Sequence, residues 1–264
     1  MPTLTIGEHD LGVHSSAHGG PSPTYVLVHG LGTSHRYLAR LHRELERVGT
    51  VHSIDLPGFG GMPKPPRALS IGAGAALLGA AIDRLGVTEV VLVGHSMGAQ
   101  FVTELAAQRP ALVSHLVLIG PVTDPARARP VTQAIDLARD TLKEPISGNL
   151  LTFADSLRCG PRWYFTELVP VLAYRTDQRL RTVEAPTLVI RGGDDPVARS
   201  SWCAKLVAAA PVGSLVEIPH HRHLVQHSAP GATARAVVAF SREAWRSTLA
   251  GPPAPPQRKR SGAH

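Results

Sequence analysis

A strand-like apolar run that ends at a serine between two glycines constrains the fold of this chain most. Val90–Val93 is continuously apolar and leads directly into Gly94-His95-Ser96-Met97-Gly98. Phe101, Val102 and Leu105 follow at helical spacing. A strand that reverses sharply into a helix strains the residue at the apex, and glycines are needed where the backbone is crowded. The pattern predicts a nucleophile elbow, a turn that projects the Ser96 hydroxyl beside the free N–H groups of a helix start.

Apolar runs without alternation recur along the chain, as expected for strands covered on both faces of a sheet. They are Tyr25–His29, Val51–Ile54, Val90–Val93, Leu116–Ile119, Thr187–Ile190 and Leu215–Ile218. Between them, apolar residues three or four positions apart predict helices, one ending at Gly49 and one running from an N-cap at Ser70 to Gly86. Alternating strands and helices predict an α/β fold, a mostly parallel sheet with helices on both faces.

The alternation is interrupted between residues 124 and 185, where helical spacing continues at Ile135, Ala138 and Leu142. We expect residues 1–123 and 186–250 to form the core, and residues 124–185 to form an inserted helical cap over the sheet. Aromatic side chains of this segment could line a substrate pocket or only attach the cap to the core. The candidates are Phe153, Trp163, Tyr164 and Phe165. Residues 251–264 are proline-rich and basic, which predicts a disordered tail.

Composition excludes several other classes of protein. Hydrophobic residues make up 43% of the chain and charged residues 18%, as in globular proteins. The net charge of +7 is dispersed, and three of its units lie in the tail, so no nucleic-acid partner is predicted. No apolar stretch approaches the ~20 residues that cross a membrane, and the start of the chain lacks a signal-peptide pattern. With only two cysteines, expected to be reduced thiols, we expect a cytoplasmic protein of undetermined oligomeric state.

Five motifs in the same order resemble those of the α/β-hydrolase family. They are His29-Gly30-Leu31-Gly32, Asp55-Leu56-Pro57-Gly58-Phe59-Gly60, the Ser96 elbow, Arg191-Gly192-Gly193-Asp194-Asp195-Pro196-Val197, and His220-His221-Arg222-His223-Leu224-Val225. The resemblance extends from about Thr24 to Ala244, interrupted by the expected cap. It implies a catalytic triad in the chain order nucleophile, acid, histidine.

The resemblance implies a role for one aspartate and one histidine. The family's acid follows a late strand in a Gly-x-x-Asp turn, which corresponds to Asp195, with the adjacent Asp194 and the earlier Asp124 as alternatives. The base corresponds to His223, because apolar residues and then Pro230 follow it at the family's spacing.

Three further histidines, His220, His221 and His227, crowd the same loop, and the first two stand where the family often has small residues. A metal bound by this cluster is an alternative, but no H-E-x-x-H pattern supports it. No metal or other cofactor is therefore expected.

The backbone N–H groups of Leu31 and Met97 are the expected oxyanion hole. His29 and His95 are expected to be structural, with the His95 side chain turned away from the nucleophile.

These residues together predict a serine hydrolase that cleaves a carboxylic ester, or a related acyl bond, of a small to medium apolar substrate through an acyl-enzyme. The predicted partner is thus a small-molecule substrate, with neither nucleic acid nor membrane. Alternatives of the same fold are a lactonase, thioesterase, perhydrolase or carbon–carbon bond hydrolase, because the fold does not select the substrate. A ligand-binding receptor with slow turnover is the alternative from another class.

Overall fold

The structure, a computed structural model, describes residues 2–20, 22–125 and 146–250, with side chains described as far as residue 242. The strands are β1 (Thr3–Ile6), β2 (His9–Ser16), β3 (Thr24–Val28), β4 (Thr50–Asp55), β5 (Val90–His95), β6 (Val113–Ile119), β7 (Thr187–Gly192) and β8 (Gly213–Ile218). The α-helices are α1 (His35–Leu45), α2 (Ile71–Arg84), α3 (Gly98–Gln108), α4 (Ile146–Cys159), α5 (Pro161–Ala173), α6 (Thr176–Arg179), α7 (Ser200–Ala209), α8 (Val225–Ser228) and α9 (Pro230–Ala250). The predicted helix around Ile135, Ala138 and Leu142 and the predicted tail lie outside the described residues.

The strands form one eight-stranded sheet in the order β1-β2-β4-β3-β5-β6-β7-β8. All neighbouring strands from β4 to β8 are parallel, whereas β2 is antiparallel to both β1 and β4. The predicted α/β class and all six predicted strands are confirmed. The strands β1 and β2 were not predicted, because neither contains a continuous apolar run.

Two hydrophobic cores cover the two faces of the sheet. Alternate residues of each strand point to opposite faces, so Val26 and Val28 pack with α2 and α3, whereas Tyr25 and Leu27 pack with α1 and α9. The central parallel strands β3, β5, β6 and β7 are therefore buried on both faces, which explains their continuous apolar runs in the sequence. No helix within the described residues is both long and apolar enough to cross a membrane.

The predicted N-cap of α2 is confirmed, because the Ser70 side chain accepts a hydrogen bond from the Ala73 N–H at 3.1 Å. At the other end, Gly86 adopts a φ of +72°, the left-handed conformation that ends a helix and favours glycine.

The turn between β5 and α3 has no room for a side chain at either of its two glycines. A Cβ at Gly94 would lie 2.4 Å from the Gly98 carbonyl oxygen, and one at Gly98 would lie 2.4 Å from the Val28 carbonyl oxygen of β3. Ser96, between them, has a φ of +56°, and its N–H donates to the Ile119 carbonyl of β6 at 2.9 Å. The predicted strained turn is thus confirmed, and packing against β3 and β6 maintains it.

We expect Gly98→Ala to lower the free energy of unfolding by about 3 kcal/mol, because the new methyl group must displace the backbone of β3. The control is Gly72→Ala in α2, where the nearest atom to the new Cβ would be 3.7 Å away. This variant should be unchanged or more stable by up to about 1 kcal/mol. Urea unfolding of both variants measures the difference, and equal stabilities would contradict the packing argument.

Several histidines are buried in the neutral form. Burial is the largest factor that lowers the pKa of the side chains of His14, His29, His42, His52, His95, His115 and His227 below the ordinary value of 6.5. For His95, burial and then the nearby charge of His223 lower the pKa to about 3. The pKa of Glu167 shifts in the opposite direction, because burial raises it to about 7.

We therefore expect the protein to lose stability between pH 7.5 and pH 5. Below pH 6.5 the unfolded chain binds protons that these histidines exclude in the folded state, so the free energy of unfolding falls with the pH. A fully buried histidine such as His29, whose pKa burial lowers, contributes to this fall.

The test is urea unfolding at both pH values for the wild type and for His115→Phe. His115 is buried in β6 at an edge-to-face contact with Phe240, away from Ser96, so a phenyl ring removes one titrating group from the core. The variant should lose less stability on acidification than the wild type. An equal loss would show that buried imidazoles do not govern the acid response.

Candidate functional site

The residues singled out by the sequence meet at the carboxyl ends of the parallel strands. Ser96 follows β5, Asp195 follows β7 and His223 lies in the loop after β8. Since all three strands run in the same direction, their carboxyl ends share one edge of the sheet, where α/β proteins commonly bind ligands.

Ser96, His223 and Asp195 form a continuous hydrogen-bonded chain. His223 Nε2 lies 3.1 Å from Ser96 Oγ, and His223 Nδ1 lies 2.9 Å from Asp195 Oδ2. Because an ionised carboxylate only accepts hydrogen bonds, Nδ1 carries the hydrogen and Nε2 is free to accept the hydroxyl proton of Ser96. His223 and Asp195 are 4% and 3% exposed, whereas Ser96 is half-buried and open to a ligand.

The second carboxylate oxygen of Asp195 is bound by the backbone. Oδ1 accepts hydrogen bonds from the N–H groups of Val197 at 2.7 Å and Ala198 at 2.9 Å. Burial alone would raise the pKa of Asp195, but the charge of His223 and the hydrogen bonds from His223, Ala198 and Val197 outweigh it and lower the pKa. The carboxylate is therefore ionised at neutral pH and fixed in orientation.

The structure distinguishes Asp195 from its neighbour. Asp194 is exposed, and its backbone N–H donates to the His221 carbonyl at 2.9 Å. Asp124, the third alternative, lies half-buried beyond the end of β6. The carboxylate that contacts His223 Nδ1 is that of Asp195.

The other histidines of the loop have different contacts. His221 Nδ1 lies 2.9 Å from Ser228 Oγ, and His227 Nε2 lies 3.1 Å from Ser147 Oγ. His220 is exposed and adopts a φ of +61°, which lets the loop turn where the family resemblance suggested small residues. The loop packs closely on β7, because a Cβ at Gly192 would lie 2.3 Å from the His221 carbonyl oxygen.

The two backbone segments expected to bind an oxyanion flank Ser96. Met97 immediately precedes α3, where the first N–H groups have no acceptor within the helix. Leu31 follows Gly30, whose added Cβ would lie 3.0 Å from Ser96 Cβ, so the loop after β3 touches the serine. Both segments are thus in the vicinity of the Ser96 hydroxyl.

The expected structural role of His29 is confirmed. Its Nδ1 donates to the Gly30 carbonyl at 2.7 Å, and its Nε2 accepts from the Leu56 N–H at 3.1 Å. His95 makes contacts that the sequence did not suggest. Its Nε2 lies 2.9 Å from the carbonyl oxygen of His223. It also contacts the hydroxyl of Tyr37, a residue that was not singled out.

The helices between β6 and β7 contact the loop after β3. The Ser34 hydroxyl donates to Asp155 Oδ2 of α4 at 2.5 Å, and the Ser156 hydroxyl donates to the Gly32 carbonyl at 3.3 Å. The Tyr164 ring of α5 lies against Gly32, since a Cβ there would be 2.9 Å from the ring. These helices therefore cover the loop that carries Leu31.

The four aromatic candidates of this segment differ in burial. Trp163 is 7% exposed and packs on Gly58, and Tyr164 is half-buried over Gly32. Phe153 and Phe165 are each 63% exposed. Most of the Phe153 ring and most of the Phe165 ring therefore faces solvent.

Within the described ranges, the side chains grouped closely enough to suggest a metal site are His14, His35 and Asp55, whose candidate ligand atoms lie within 4.8 Å of one another. The His14 and His35 rings stack with centroids 3.5 Å apart, and His35 Nδ1 lies 2.6 Å from Asp55 Oδ2. Imidazoles bind metals in the ring plane, so nearly parallel stacked rings do not converge on one ion. This group is a hydrogen-bonded cluster at the start of α1.

Comparison with known proteins agrees with the fold. The model of a family described as the alpha/beta hydrolase family matches residues 25–236. A 2-hydroxy-6-oxononadienedioate/2-hydroxy-6-oxononatrienedioate hydrolase of Cupriavidus pinatubonensis is 27% identical over 272 aligned positions, covering 90% of this chain and 93% of that protein.

Solved structures share the architecture at low identity. Est816, described as an N-acyl homoserine lactone degrading enzyme, superposes with a TM-score of 0.79 at 21% identity, covering 90% of this chain and 100% of that chain. The enol-lactonase from Burkholderia xenovorans LB400 gives a TM-score of 0.77 at 20% identity, covering 90% and 99%. With a family model matched over most of its length and hydrolases among its relatives, the chain belongs to the alpha/beta hydrolase family and is a hydrolase.

Proposed function

We propose that this hydrolase cleaves a carboxylic ester, or a related acyl bond, of a small to medium apolar substrate, with Ser96 as the nucleophile. The observation that carries the proposal is the 3.1 Å contact between Ser96 Oγ and His223 Nε2, with Asp195 bound at Nδ1 of the same imidazole. An unassisted serine is a weak nucleophile, and such a base makes it reactive.

In the proposed mechanism, Ser96 Oγ attacks the substrate carbonyl carbon while its proton moves to His223 Nε2. Asp195 stabilises the imidazolium, and the N–H groups of Leu31 and Met97 bind the oxyanion of the tetrahedral intermediate. The Nε2 proton then passes to the leaving alcohol, which leaves an acyl group on Ser96. A water molecule, deprotonated by the same nitrogen, attacks the acyl carbon and releases the acid.

We also propose that residues 124–185 form a cap over the site, inserted into a core formed by residues 1–123 and 186–250. The support is the contact of α4 and α5 with the loop after β3 through Asp155, Ser156 and Tyr164. Tyr164 is then the candidate for substrate contact. The adjacent Trp163 is buried against Gly58. The exposed rings of Phe153 and Phe165 are not proposed to bind substrate.

A lactonase is the second candidate, favoured by the neighbours described as an N-acyl homoserine lactone degrading enzyme and an enol-lactonase. A lactone is a cyclic ester, so the same nucleophile, base and oxyanion donors would open it. The relative from Cupriavidus pinatubonensis suggests hydrolysis of a compound similar to 2-hydroxy-6-oxononadienedioate. The proposed setting is the cytoplasm, supported by two buried cysteines, Cys159 and Cys203, that are free thiols.

We expect Ser96→Ala to abolish labelling by a fluorophosphonate and to lower kcat with a p-nitrophenyl acyl ester by a factor on the order of 10⁴ to 10⁶. Asp195→Asn should lower kcat by about 10⁴-fold, because an amide no longer selects the required imidazole tautomer. The matched control is Asp194→Asn at the exposed neighbour, which should keep wild-type kinetics. Turnover by Ser96→Ala at the wild-type rate would refute the proposal, and a panel of esters and lactones distinguishes the two substrate classes.

The proposed cap predicts different effects for two adjacent aromatic residues. Tyr164→Ala should change the preference for acyl-chain length and raise KM, because it opens space beside Gly32. Phe165→Ala, at a ring that is 63% exposed, should leave kcat/KM unchanged. Steady-state kinetics with p-nitrophenyl esters of two to eight acyl carbons provide the measurement. The same chain-length profile in both variants would contradict substrate contact by Tyr164.

A further inference from the structure

A buried network of hydrogen bonds connects the loop after β3, the strained turn and the loop after β8. The Tyr37 hydroxyl oxygen lies 2.8 Å from the backbone nitrogen of Gly30 and 2.5 Å from Nδ1 of His95. The other ring nitrogen of His95, Nε2, lies 2.9 Å from the carbonyl oxygen of His223. Tyr37 is 1% exposed and His95 is 2% exposed.

The directions of these bonds follow from the groups themselves. The carbonyl oxygen of His223 can only accept, so His95 Nε2 carries the hydrogen. His95 Nδ1 then accepts the hydroxyl hydrogen of Tyr37, and the Tyr37 oxygen accepts the Gly30 N–H. Burial lowers the pKa of His95 to about 3 and raises the pKa of Tyr37, so both remain neutral and the directions do not change near neutral pH.

The network adjoins three proposed catalytic groups. Gly30 directly precedes Leu31, a proposed oxyanion donor, and His95 directly precedes Ser96. The far end binds the backbone of His223, so a shift of that carbonyl moves the whole imidazole relative to Ser96 Oγ. Gly120 also lies beside this imidazole, since a Cβ there would be 3.1 Å from the ring.

We propose that Tyr37 and His95 are positioning residues, which hold His223 and the Gly30–Leu31 segment in the correct position relative to Ser96. The proposal rests on the proposed function, since it assigns these residues to the same serine mechanism. Neither side chain contacts the substrate or exchanges a proton. Their contribution is geometric, and displacement of a catalytic group by about 1 Å can lower the rate by about 100-fold.

Two substitutions of His95 separate the two halves of the network. In His95→Gln the longer amide can place a donor near the position of Nε2 and keep the bond to the His223 carbonyl. In His95→Asn the shorter amide can accept from Tyr37 but does not reach His223. We expect His95→Asn to lower the rate of fluorophosphonate labelling of Ser96, and kcat with a p-nitrophenyl ester, by about 10- to 100-fold at unchanged KM. His95→Gln should restore most of this loss.

Tyr37→Phe tests the other half, with Tyr25→Phe as the control. Tyr25 is another buried tyrosine of the same core, and its hydroxyl contacts Ser241 Oγ at 3.4 Å, away from the site. Both variants lose one buried hydroxyl, but only Tyr37→Phe should slow the labelling of Ser96. Melting temperatures of all variants report the structural effect separately.

The outcomes separate this proposal from the proposed function. If wild-type Ser96 is not labelled, the serine mechanism itself fails. If the wild type is labelled and Tyr37→Phe and His95→Asn react at the wild-type rate, only the positioning role is overturned. If His95→Asn does not fold, Tyr37→Phe and Tyr25→Phe decide the question, since an equal labelling rate in those two variants also overturns it.

Discussion

The close contact between the turn after β5 and the end of β3 is the constraint on which the site depends. Gly98 lies against the Val28 carbonyl oxygen, and the left-handed Ser96 donates its N–H to β6. A strained residue persists only where its surroundings leave it no alternative, and here two neighbouring strands of the parallel sheet provide that restriction. The packing of two hydrophobic cores against the sheet thus holds the backbone of Ser96 away from its preferred conformation.

The same sheet brings distant parts of the sequence together at a single edge. Ser96 and His223 are 127 positions apart in the chain, yet their side chains lie 3.1 Å apart. Neither loop would be positioned by local sequence alone. The glycines at 120 and 192 let the His223 loop approach β6 and β7, since a Cβ at either position would lie within 3.1 Å of that loop. The contact between Ser96 and His223 and the packing of the strands therefore impose the same requirement on these two glycines.

The core strands and the nucleophile turn could be predicted from sequence because both leave strong local patterns. Strands covered on both faces are continuously apolar, and a turn without space for Cβ atoms requires glycine. Asp195 and Asp194 differ by one position and have the same chemistry, so only the contact with His223 separates them. The strands β1 and β2 lie at the sheet edge and have no such apolar run. The exposed Phe153 and Phe165 show that aromatic content alone does not indicate where a ring points.

The contacts of His95 could not be predicted from the sequence. Its hydrogen-bond partners are a backbone carbonyl 128 positions away and a tyrosine 58 positions away. No spacing rule predicts such contacts. A similar relation holds for α4, which reaches the His227 ring through Ser147 and the Gly32 carbonyl through Ser156. One helix therefore touches both loops that flank Ser96, from the side opposite the sheet. If this helix belongs to the proposed cap, its displacement would alter both loops together and would connect substrate access with the geometry around the serine.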